Sequence, residues 1–160
     1  MEVYRISAAD FIDDISGEGS KLSGARWNYK GTAVLYTSSS IALATLEMLV
    51  RIPIRFSIPD LVIAHIKVPD DSVFNVEVKS LPRKWNQDPS PDALKKITEK
   101  WISNAKFLLM RVPSAVVPQN YNYIINPAHS RFNEVKIIKK EPFTFDKRIL
   151  SKINPDSDVA

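Results

Sequence analysis

The sequence predicts a mixed α/β (α+β) fold, a compact single domain of β-sheets with flanking helices. Three observations lead to this prediction. The chain has 160 residues, of which 44% are hydrophobic, and this fits one domain with a sizeable core. Segments with strand character outnumber those with helical character. The two kinds do not alternate regularly, which argues against a doubly wound parallel sheet.

The first third of the chain predicts two strands and a helix. Residues 3–6 read as a short strand, residues 13–23 as a polar, glycine-containing loop, and residues 33–37 (AVLYT) as an apolar strand. Three serines at 38–40 then offer N-caps for a helix. That helix ends near Ile52, because Pro53 cannot continue it.

The remaining chain predicts further strands and a second helix. Residues 61–68 (LVIAHIKV) form a strong strand candidate, and residues 54–57 a weaker one. Residues 85–91 read as a loop, in which Ser90 as cap and Pro91 as first helical residue start a helix that runs to about Ala105. Further strands are predicted at residues 107–112, 121–125 and 135–138. The domain then covers residues 1–153, and residues 154–160 form a disordered tail.

Composition excludes several classes of protein. No apolar stretch reaches the roughly 18 to 20 residues of a membrane span, and no signal-peptide pattern is present, so a cytoplasmic location and no membrane partner are expected. The absence of cysteine excludes disulfides, thiolate zinc sites and a cysteine nucleophile. With two histidines, no metal site is expected. The net charge of +4 permits an anionic ligand. Nucleic-acid binding is not expected, because the sequence has no dense basic stripe.

Glu47 raises a question, because it lies within the apolar helix IALATLEMLV (41–50). Burying an unpaired carboxylate is costly. One interpretation is a surface ion pair with Arg51, four residues later in the favourable order. The other is a functional carboxylate on a buried face, since Leu43, Leu46 and Val50 surround Glu47 on the helix surface and make that face look buried.

Three further polar residues lie in apolar surroundings. Arg5 and Arg26 are each flanked by apolar residues, as in a snorkelling side chain or in a guanidinium fork for phosphate or carboxylate. Ser114 lies between two prolines in VPSAVVP, where a turn is expected. No G-x-S-x-G elbow marks it as a hydrolase nucleophile. The G-x-G-x-x-G and Walker A signs of nucleotide binding are absent as well.

Four segments together resemble the RES-domain family, the toxin half of RES–Xre toxin–antitoxin pairs. They are VYRI (3–6), LSGARWNYKGTAVLYTSSSIALATLE (22–47), VPSAVVP (112–118) and NYIINPAHSRF (122–132). The resemblance runs from Tyr4 to about Leu150. Its specificity rests on the combination of R-W-N, L-Y-T-S-S and A-L-A-x-L-E at these spacings.

The resemblance implies a fold similar to ADP-ribosyltransferases of the diphtheria-toxin type, with NAD⁺ as substrate and no metal. It implies a toxin that cleaves the nicotinamide–ribose bond and passes ADP-ribose to water or phosphate. The alternatives are a protein ADP-ribosyltransferase acting on a metabolic target, an RNA-directed toxin and an inactive binding module. The implied partner is an Xre-like antitoxin, with a homodimer within the complex as a further arrangement.

The resemblance also implies the site residues. It places the glutamate at Glu47, the NAD⁺-site arginines at Arg5 and Arg26, the pocket tyrosine at Tyr36, the serine at Ser114 and an N-P-x-H motif at Asn126–His129. The chain departs from the family at Ala25, where a glycine is expected, and at Arg51, where a histidine is common.

Each implied residue type suits this chemistry. A carboxylate at Glu47 would stabilise positive charge on the ribose. Guanidinium groups at Arg5 and Arg26 suit a pyrophosphate. Tyr36 offers a flat face for nicotinamide. Ser114 is expected to bind the ligand or to fix the glutamate.

Overall fold

The computed structural model describes residues 1–52 and 58–153. Seven strands lie in these segments, and all belong to one sheet. In chain order they are β1 (Glu2–Ala8), β2 (Leu35–Ser38), β3 (Leu61–Lys67), β4 (Val73–Asn75), β5 (Leu109–Pro113), β6 (Tyr121–Ile125) and β7 (Lys136–Phe143). The same segments hold the helices α1 (Glu18–Ser23), α2 (Ile41–Leu49), α3 (Asp92–Asn104) and α4 (Lys147–Ile153). The predicted α+β class is confirmed, with one sheet rather than several.

The sheet has the strand order β4-β5-β6-β2-β1-β3-β7. β4 and β5 run parallel, and the other neighbouring strands run antiparallel. β1 pairs with β3 along its whole length, from Glu2 opposite Lys67 to Ala8 opposite Leu61. The first strand of the chain therefore lies inside the sheet, between two strands that come later.

Apolar side chains cover both faces of the sheet. On one face, α3 packs Trp101 in a cluster with Met110 of β5, and α2 packs Ala44 in a cluster with Ile6 of β1. On the opposite face a further cluster buries Val3, Leu35, Ala64, Ile66, Leu109 and Ile125. Because side chains alternate along a strand, the residues of β1 and β2 that share a face with Ile6 are the ones that meet α2.

The helix predicted after the three serines is α2, and its start is as expected. The Ser40 hydroxyl accepts a hydrogen bond of 3.1 Å from the Leu43 amide, which is an N-cap. The helix ends at Leu49 instead of near Ile52. The chain tightens there, since the Arg51 amide bonds to the carbonyl three residues back.

The prediction of a loop over residues 13–23 is wrong in its second half, which forms α1. A helix of six residues without a side-chain cap carries little local signal. Distant contacts hold it instead, since the Ser20 hydroxyl donates to the Val34 carbonyl at 2.6 Å and accepts from the Val34 amide at 3.1 Å. Gly17, just before the helix, has a φ of 75°, and a Cβ there would lie 2.8 Å from the Val34 backbone.

The later elements follow the prediction with shifted ends. β6 occupies the predicted residues 121–125, and β7 extends well past the predicted end at residue 138. The loop at residues 85–91 leads into α3, but this helix begins at Asp92, after Pro91, and has no side-chain cap. Ser90 is therefore not the cap, and Pro91 is not the first helical residue. Neither β4 nor α4 was predicted.

Two predictions concern parts of the chain outside the described residues. They are the weak strand at residues 54–57 and the disordered tail at residues 154–160. The domain boundary at residue 153 stays a prediction for the same reason. Among the described residues, no helix combines the length and apolarity that crossing a membrane requires.

Candidate active site

A cleft opens between β1 and β2, where the sheet is incomplete. The two strands pair at one position, Tyr4 opposite Ser38, whereas β1 pairs with β3 at seven. Beyond Tyr4 the strands diverge, and α2 lies beside the opening. A narrow hollow of about 50 Å³ reaches Glu47, and a larger one of about 290 Å³ extends toward α1. The two hollows share the lining residues Arg5, Ile6, Tyr36, Met48 and Arg51.

Glu47 is partly buried and lines the narrow hollow. It lies one turn after Ala44, which packs on the sheet, so the helix directs both toward the same side. Its Oε1 accepts a hydrogen bond of 2.8 Å from the Ser114 hydroxyl and one of 2.5 Å from the Asn122 amide. A carboxylate inside an apolar helix is tolerated here because it faces a cleft and has polar partners.

Ser114 is completely buried at the end of β5. Its hydroxyl oxygen accepts hydrogen bonds from the amides of Val116 at 3.1 Å and Val117 at 3.0 Å. These two bonds leave the hydroxyl proton for Glu47, since a hydroxyl has one proton and two lone pairs. The turn expected between the two prolines therefore exists, and it orients the serine toward the glutamate.

Asn122 is a site residue that the sequence reasoning missed. It lies on β6 directly opposite Ser38 of β2, and the Ser38 hydroxyl donates to its Oδ1 at 2.7 Å. Its position in the matched segment NYIINPAHSRF was visible in the sequence. Nothing local indicated that its side chain meets Glu47, which is 75 residues away along the chain.

Tyr36 of β2 lines both hollows. Its hydroxyl accepts from the Trp27 amide at 3.2 Å and donates to the Asn28 Oδ1 at 2.7 Å. Burial raises the pKa of Tyr36 well above its ordinary value, and the nearby charges of Arg51 and Arg26 oppose this only in part. The phenol therefore stays neutral at neutral pH, and the hydroxyl serves the fold rather than the cleft.

Arg51 does not pair with Glu47. Within residues 1–52 and 58–153 the two side chains form no ion pair. The Arg51 guanidinium instead lies over the Tyr36 ring, 5.5 Å from its centroid, a cation–π contact. The interpretation of Glu47 as half of a surface pair is therefore wrong, and Arg51 becomes a lining cation of both hollows.

Arg5 also lines both hollows, while part of its guanidinium supports the fold. Its Nη1 donates to the carbonyls of Phe11 and Ile12, each at 3.2 Å, and to that of Asp14 at 2.8 Å. Burial lowers the pKa of Arg5 from its ordinary value, and the Asp14 carboxylate acts in the opposite direction. Arginine keeps its charge in proteins even so, and a fixed cation therefore borders the cleft.

Three predicted site residues line neither hollow: Ser114, which reaches the narrow one only through its hydrogen bond to Glu47, Arg26 and Asn126. Arg26 donates to the carbonyls of Trp85 at 3.0 Å and Gln87 at 2.9 Å, although its charge still acts on Tyr36. Asn126 follows the far end of β6, about 13 Å along the strand from Asn122. It is 3% exposed, and its Oδ1 accepts from the amide two residues ahead at 3.0 Å.

The structure thus brings together Arg5, Tyr36, Glu47 and Ser114, and it adds Asn122 and Arg51. Within residues 1–52 and 58–153 no group of three or more histidine, aspartate and glutamate side chains is placed to hold a metal ion. The cleft is lined by two carboxylates, two guanidinium groups and two aromatic rings, those of Glu47, Asp14, Arg5, Arg51, Tyr36 and Tyr4. This set suits a ligand with a cationic centre and an anionic group.

Proteins named as toxins are similar to this chain along most of its length. "Toxin Res" of Yersinia enterocolitica serotype O:8 / biotype 1B is 31% identical over 151 residues, which cover 93% of this chain and 99% of that protein. The "Prs ADP-ribosylating toxin" of Sphingobium sp. (strain YBL2) is 34% identical over 143 residues, which cover 88% of this chain and 89% of that protein.

The fold also has a solved counterpart. A chain in the crystal structure of the M. tuberculosis MbcT–MbcA toxin–antitoxin complex matches with a TM-score of 0.68 and 16% sequence identity. The match covers 96% of this chain and 88% of the other, and at this identity it concerns the fold alone.

The chain also matches at the level of a family. The sequence profile of the RES domain family covers residues 2–146. These residues span all seven strands and supply every side chain described for the cleft. The chain belongs to the RES domain family.

Proposed function

We propose that this protein is the toxin of a toxin–antitoxin pair and consumes NAD⁺ by cleaving the bond between nicotinamide and ribose. The observation that carries the proposal is the Glu47 carboxylate, partly buried in a cleft and tied through one oxygen to Ser114 and Asn122. Support comes from membership in the RES domain family and from two relatives named "Toxin Res" and "Prs ADP-ribosylating toxin".

The reaction needs one preorganised negative charge. Nicotinamide leaves as a neutral molecule with the electron pair of the broken C–N bond, so the protein need not protonate it. Positive charge develops on the ribose, as in glycoside cleavage, and a fixed carboxylate in a partly desolvated cleft stabilises that charge. The acceptor then bonds to the same ribose carbon and loses its proton. Water, phosphate or a protein side chain each balance this step.

The cations of the cleft suit the pyrophosphate of NAD⁺. Arg51 and Arg5 line both hollows, and planar guanidinium groups bind phosphate oxygens through paired hydrogen bonds. The resemblance alone supports two further NAD⁺-site residues, Arg26 and Asn126. The Nη1 of Arg26 is already bound to two carbonyls of the chain.

Tyr36 supplies an apolar face for the nicotinamide ring. Arg51 lies over that face in the structure, and the hollow beside Glu47 is only about 50 Å³. Ligand entry therefore moves Arg51 off the tyrosine ring and toward the pyrophosphate. The same movement widens the hollow and gives the ring its stacking partner.

Transfer of ADP-ribose to a protein is the second candidate function. The relative of Sphingobium that is 34% identical is named for ADP-ribosylation of Prs, and the bond cleaved and the role of Glu47 are the same in both functions. Only the acceptor differs.

In either case we propose an Xre-like antitoxin as partner, a homodimer within the toxin–antitoxin complex, and the cytoplasm as location.

Incubation of the purified protein with NAD⁺ tests the proposal. We expect release of nicotinamide, with ADP-ribose as second product in plain buffer or ADP-ribose 1″-phosphate when phosphate is the acceptor. A parallel incubation with NAD⁺ labelled in the adenylate and with cell extract tests for label on protein. Intact NAD⁺ in all three incubations would overturn the proposal. Label on a protein without bulk nicotinamide release would favour the second candidate.

A further inference from the structure

The two hydrogen bonds to Glu47 meet at one oxygen. Ser114 and Asn122 both donate to Oε1. Among residues 1–52 and 58–153, no side chain or amide donates to Oε2. The carboxylate is therefore held through one oxygen, and because Glu47 lines the narrow hollow, Oε2 is the oxygen left for a ligand.

Asn122 is itself fixed from the other direction. The Ser38 hydroxyl donates to its Oδ1 at 2.7 Å, and a carboxylate only accepts, so the Asn122 NH₂ must face Glu47. The opposed positions of Ser38 and Asn122 on β2 and β6 keep the pair in register. The chain Ser38–Asn122–Glu47 has a single consistent direction of donation.

Two other buried polar side chains near the cleft donate to the backbone instead. The Thr37 hydroxyl donates to the Tyr123 carbonyl at 2.7 Å, and the Asn28 NH₂ donates to three carbonyls. Such bonds satisfy the backbone. The polar atoms of Asn122 instead bond to two side chains, one of which is the carboxylate of the cleft.

We propose that Asn122, held by Ser38, is a positioning residue that acts with Ser114 to turn the free oxygen of Glu47 toward the ribose of NAD⁺. The proposal rests on the proposed function and adds a residue to it. Asn122 acts through Glu47, so its loss should lower kcat and leave KM nearly unchanged. Misplacement of a reacting group by about 1 Å can cost on the order of 100-fold in rate.

Asn122→Asp separates positioning from a merely structural role. The new carboxyl is close in shape to the amide and, when protonated, can still donate to Oε1 of Glu47. When it ionises, two carboxylates face each other, and the pair holds one proton more tightly than either group alone. The activity of this variant should therefore fall as pH rises, relative to wild type. A structural role predicts a lower melting temperature with an unchanged pH profile.

The experiment measures kcat and KM for NAD⁺ consumption between pH 5 and 9, together with melting temperature, for the wild type, Asn122→Asp, Ser38→Ala, Glu47→Gln and Thr98→Val. Thr98 is completely buried in α3, outside the cleft, and its hydroxyl bonds to a helix carbonyl. Thr98→Val thus controls for the loss of one buried hydroxyl. We expect lower kcat for Ser38→Ala and unchanged kinetics for Thr98→Val.

Each outcome separates the two proposals. A wild type that leaves NAD⁺ intact overturns the proposed function. If the wild type is active and Glu47→Gln is not, wild-type kcat and pH profile in Asn122→Asp overturn the positioning role alone. Should Asn122→Asp fail to fold, Ser38→Ala decides, since an unchanged kcat in this milder variant overturns the proposal and a lowered kcat at constant KM supports it.

Discussion

Glu47 combines two requirements that conflict in most helices. The residue lies among apolar neighbours, yet its carboxylate has two hydrogen-bond donors and a cleft to face. From the sequence alone, a carboxylate within an apolar helix was unexpected, and it had two interpretations. The ion pair with Arg51 failed because Arg51 lies over Tyr36 instead, a contact between residues 15 positions apart that no helical spacing reveals.

Glu47→Gln should fold normally and lose most turnover. The glutamine carbonyl can still accept from Ser114 and Asn122, but the group facing the cleft becomes a neutral NH₂ that cannot stabilise a cation. The loss of one preorganised electrostatic group typically costs about 2.7 to 4 kcal/mol of barrier, or about a hundred- to a thousandfold in rate. Nicotinamide release by the purified variant measures this. A wild-type rate would end the catalytic assignment of Glu47.

Substitution of the arginines should identify the cation that holds the pyrophosphate. Arg51→Ala should weaken NAD⁺ binding by about 1.5 to 3 kcal/mol, the value of a hydrogen bond to a charged group. Arg5→Lys keeps the charge but loses the fork, so it should weaken binding as well as the turn at residues 11–14. Calorimetric titration with NAD⁺ on the inactive Glu47→Gln background gives the affinities. Unchanged affinity in Arg51→Ala would assign the pyrophosphate to another group.

Arg26→Lys is the matched comparison for the Arg51 and Arg5 variants. The Nη1 of the native Arg26 donates to the carbonyls of Trp85 and Gln87, so this change should lower the stability of the protein more than its affinity for NAD⁺. A loss of affinity equal to that of Arg51→Ala, at unchanged melting temperature, would instead support the direct role in NAD⁺ binding that the resemblance implies.

The elements with strong local signals were predictable, and those without them were not. α2 has a serine cap and a long apolar run, and β6 (YNYII) consists mostly of aromatic and β-branched residues, so both could be predicted from the sequence. α1 lacks a side-chain cap and has three glycines in or next to it, and it forms because Ser20 and Gly17 contact the backbone of Val34. β4, with three residues, is defined only by its parallel partner β5.

Gly17→Ala should destabilise the protein, and Gly19→Ala should not. Gly17 has positive φ, and an added Cβ would lie 2.8 Å from the Val34 backbone, whereas a Cβ at Gly19 meets nothing within 4 Å. A strained backbone conformation costs about 1 to 3 kcal/mol, while alanine within a helix stabilises by about 0.4 to 1 kcal/mol. Urea denaturation of both variants measures the difference. Equal stabilities would contradict the role of Gly17 in holding α1.

At the scale of the whole molecule, the site is assembled from distant parts of the chain. Arg5 comes from β1, Glu47 from α2, Ser114 from the end of β5 and Asn122 from β6. The resemblance placed four of its six predicted residues in or beside the cleft, but the register of β2 and β6 that brings Asn122 to the carboxylate exists only in the folded sheet. Arg26 and Asn126 lie elsewhere because a shared motif does not fix where a side chain points.

A cell that produces this protein without an antitoxin should stop growing as its NAD⁺ falls. The expectation follows from the proposed reaction, which regenerates no NAD⁺. Intracellular NAD⁺ measured after induction of the wild type and of Glu47→Gln tests it, since the variant should leave both growth and NAD⁺ unchanged. Growth arrest at constant NAD⁺ would point to modification of one protein or to an RNA target.

The single pairing position between β1 and β2 has a consequence for amide hydrogen exchange. Beyond Tyr4 opposite Ser38, amides of the two strands that point toward each other lack a ladder partner, while alternate amides bond to β3 or β6. Exchange along β1 and β2 should therefore alternate between slow and fast residues. A ligand that fills the gap should slow the fast set alone, so the interior of the sheet itself reports occupancy of the cleft.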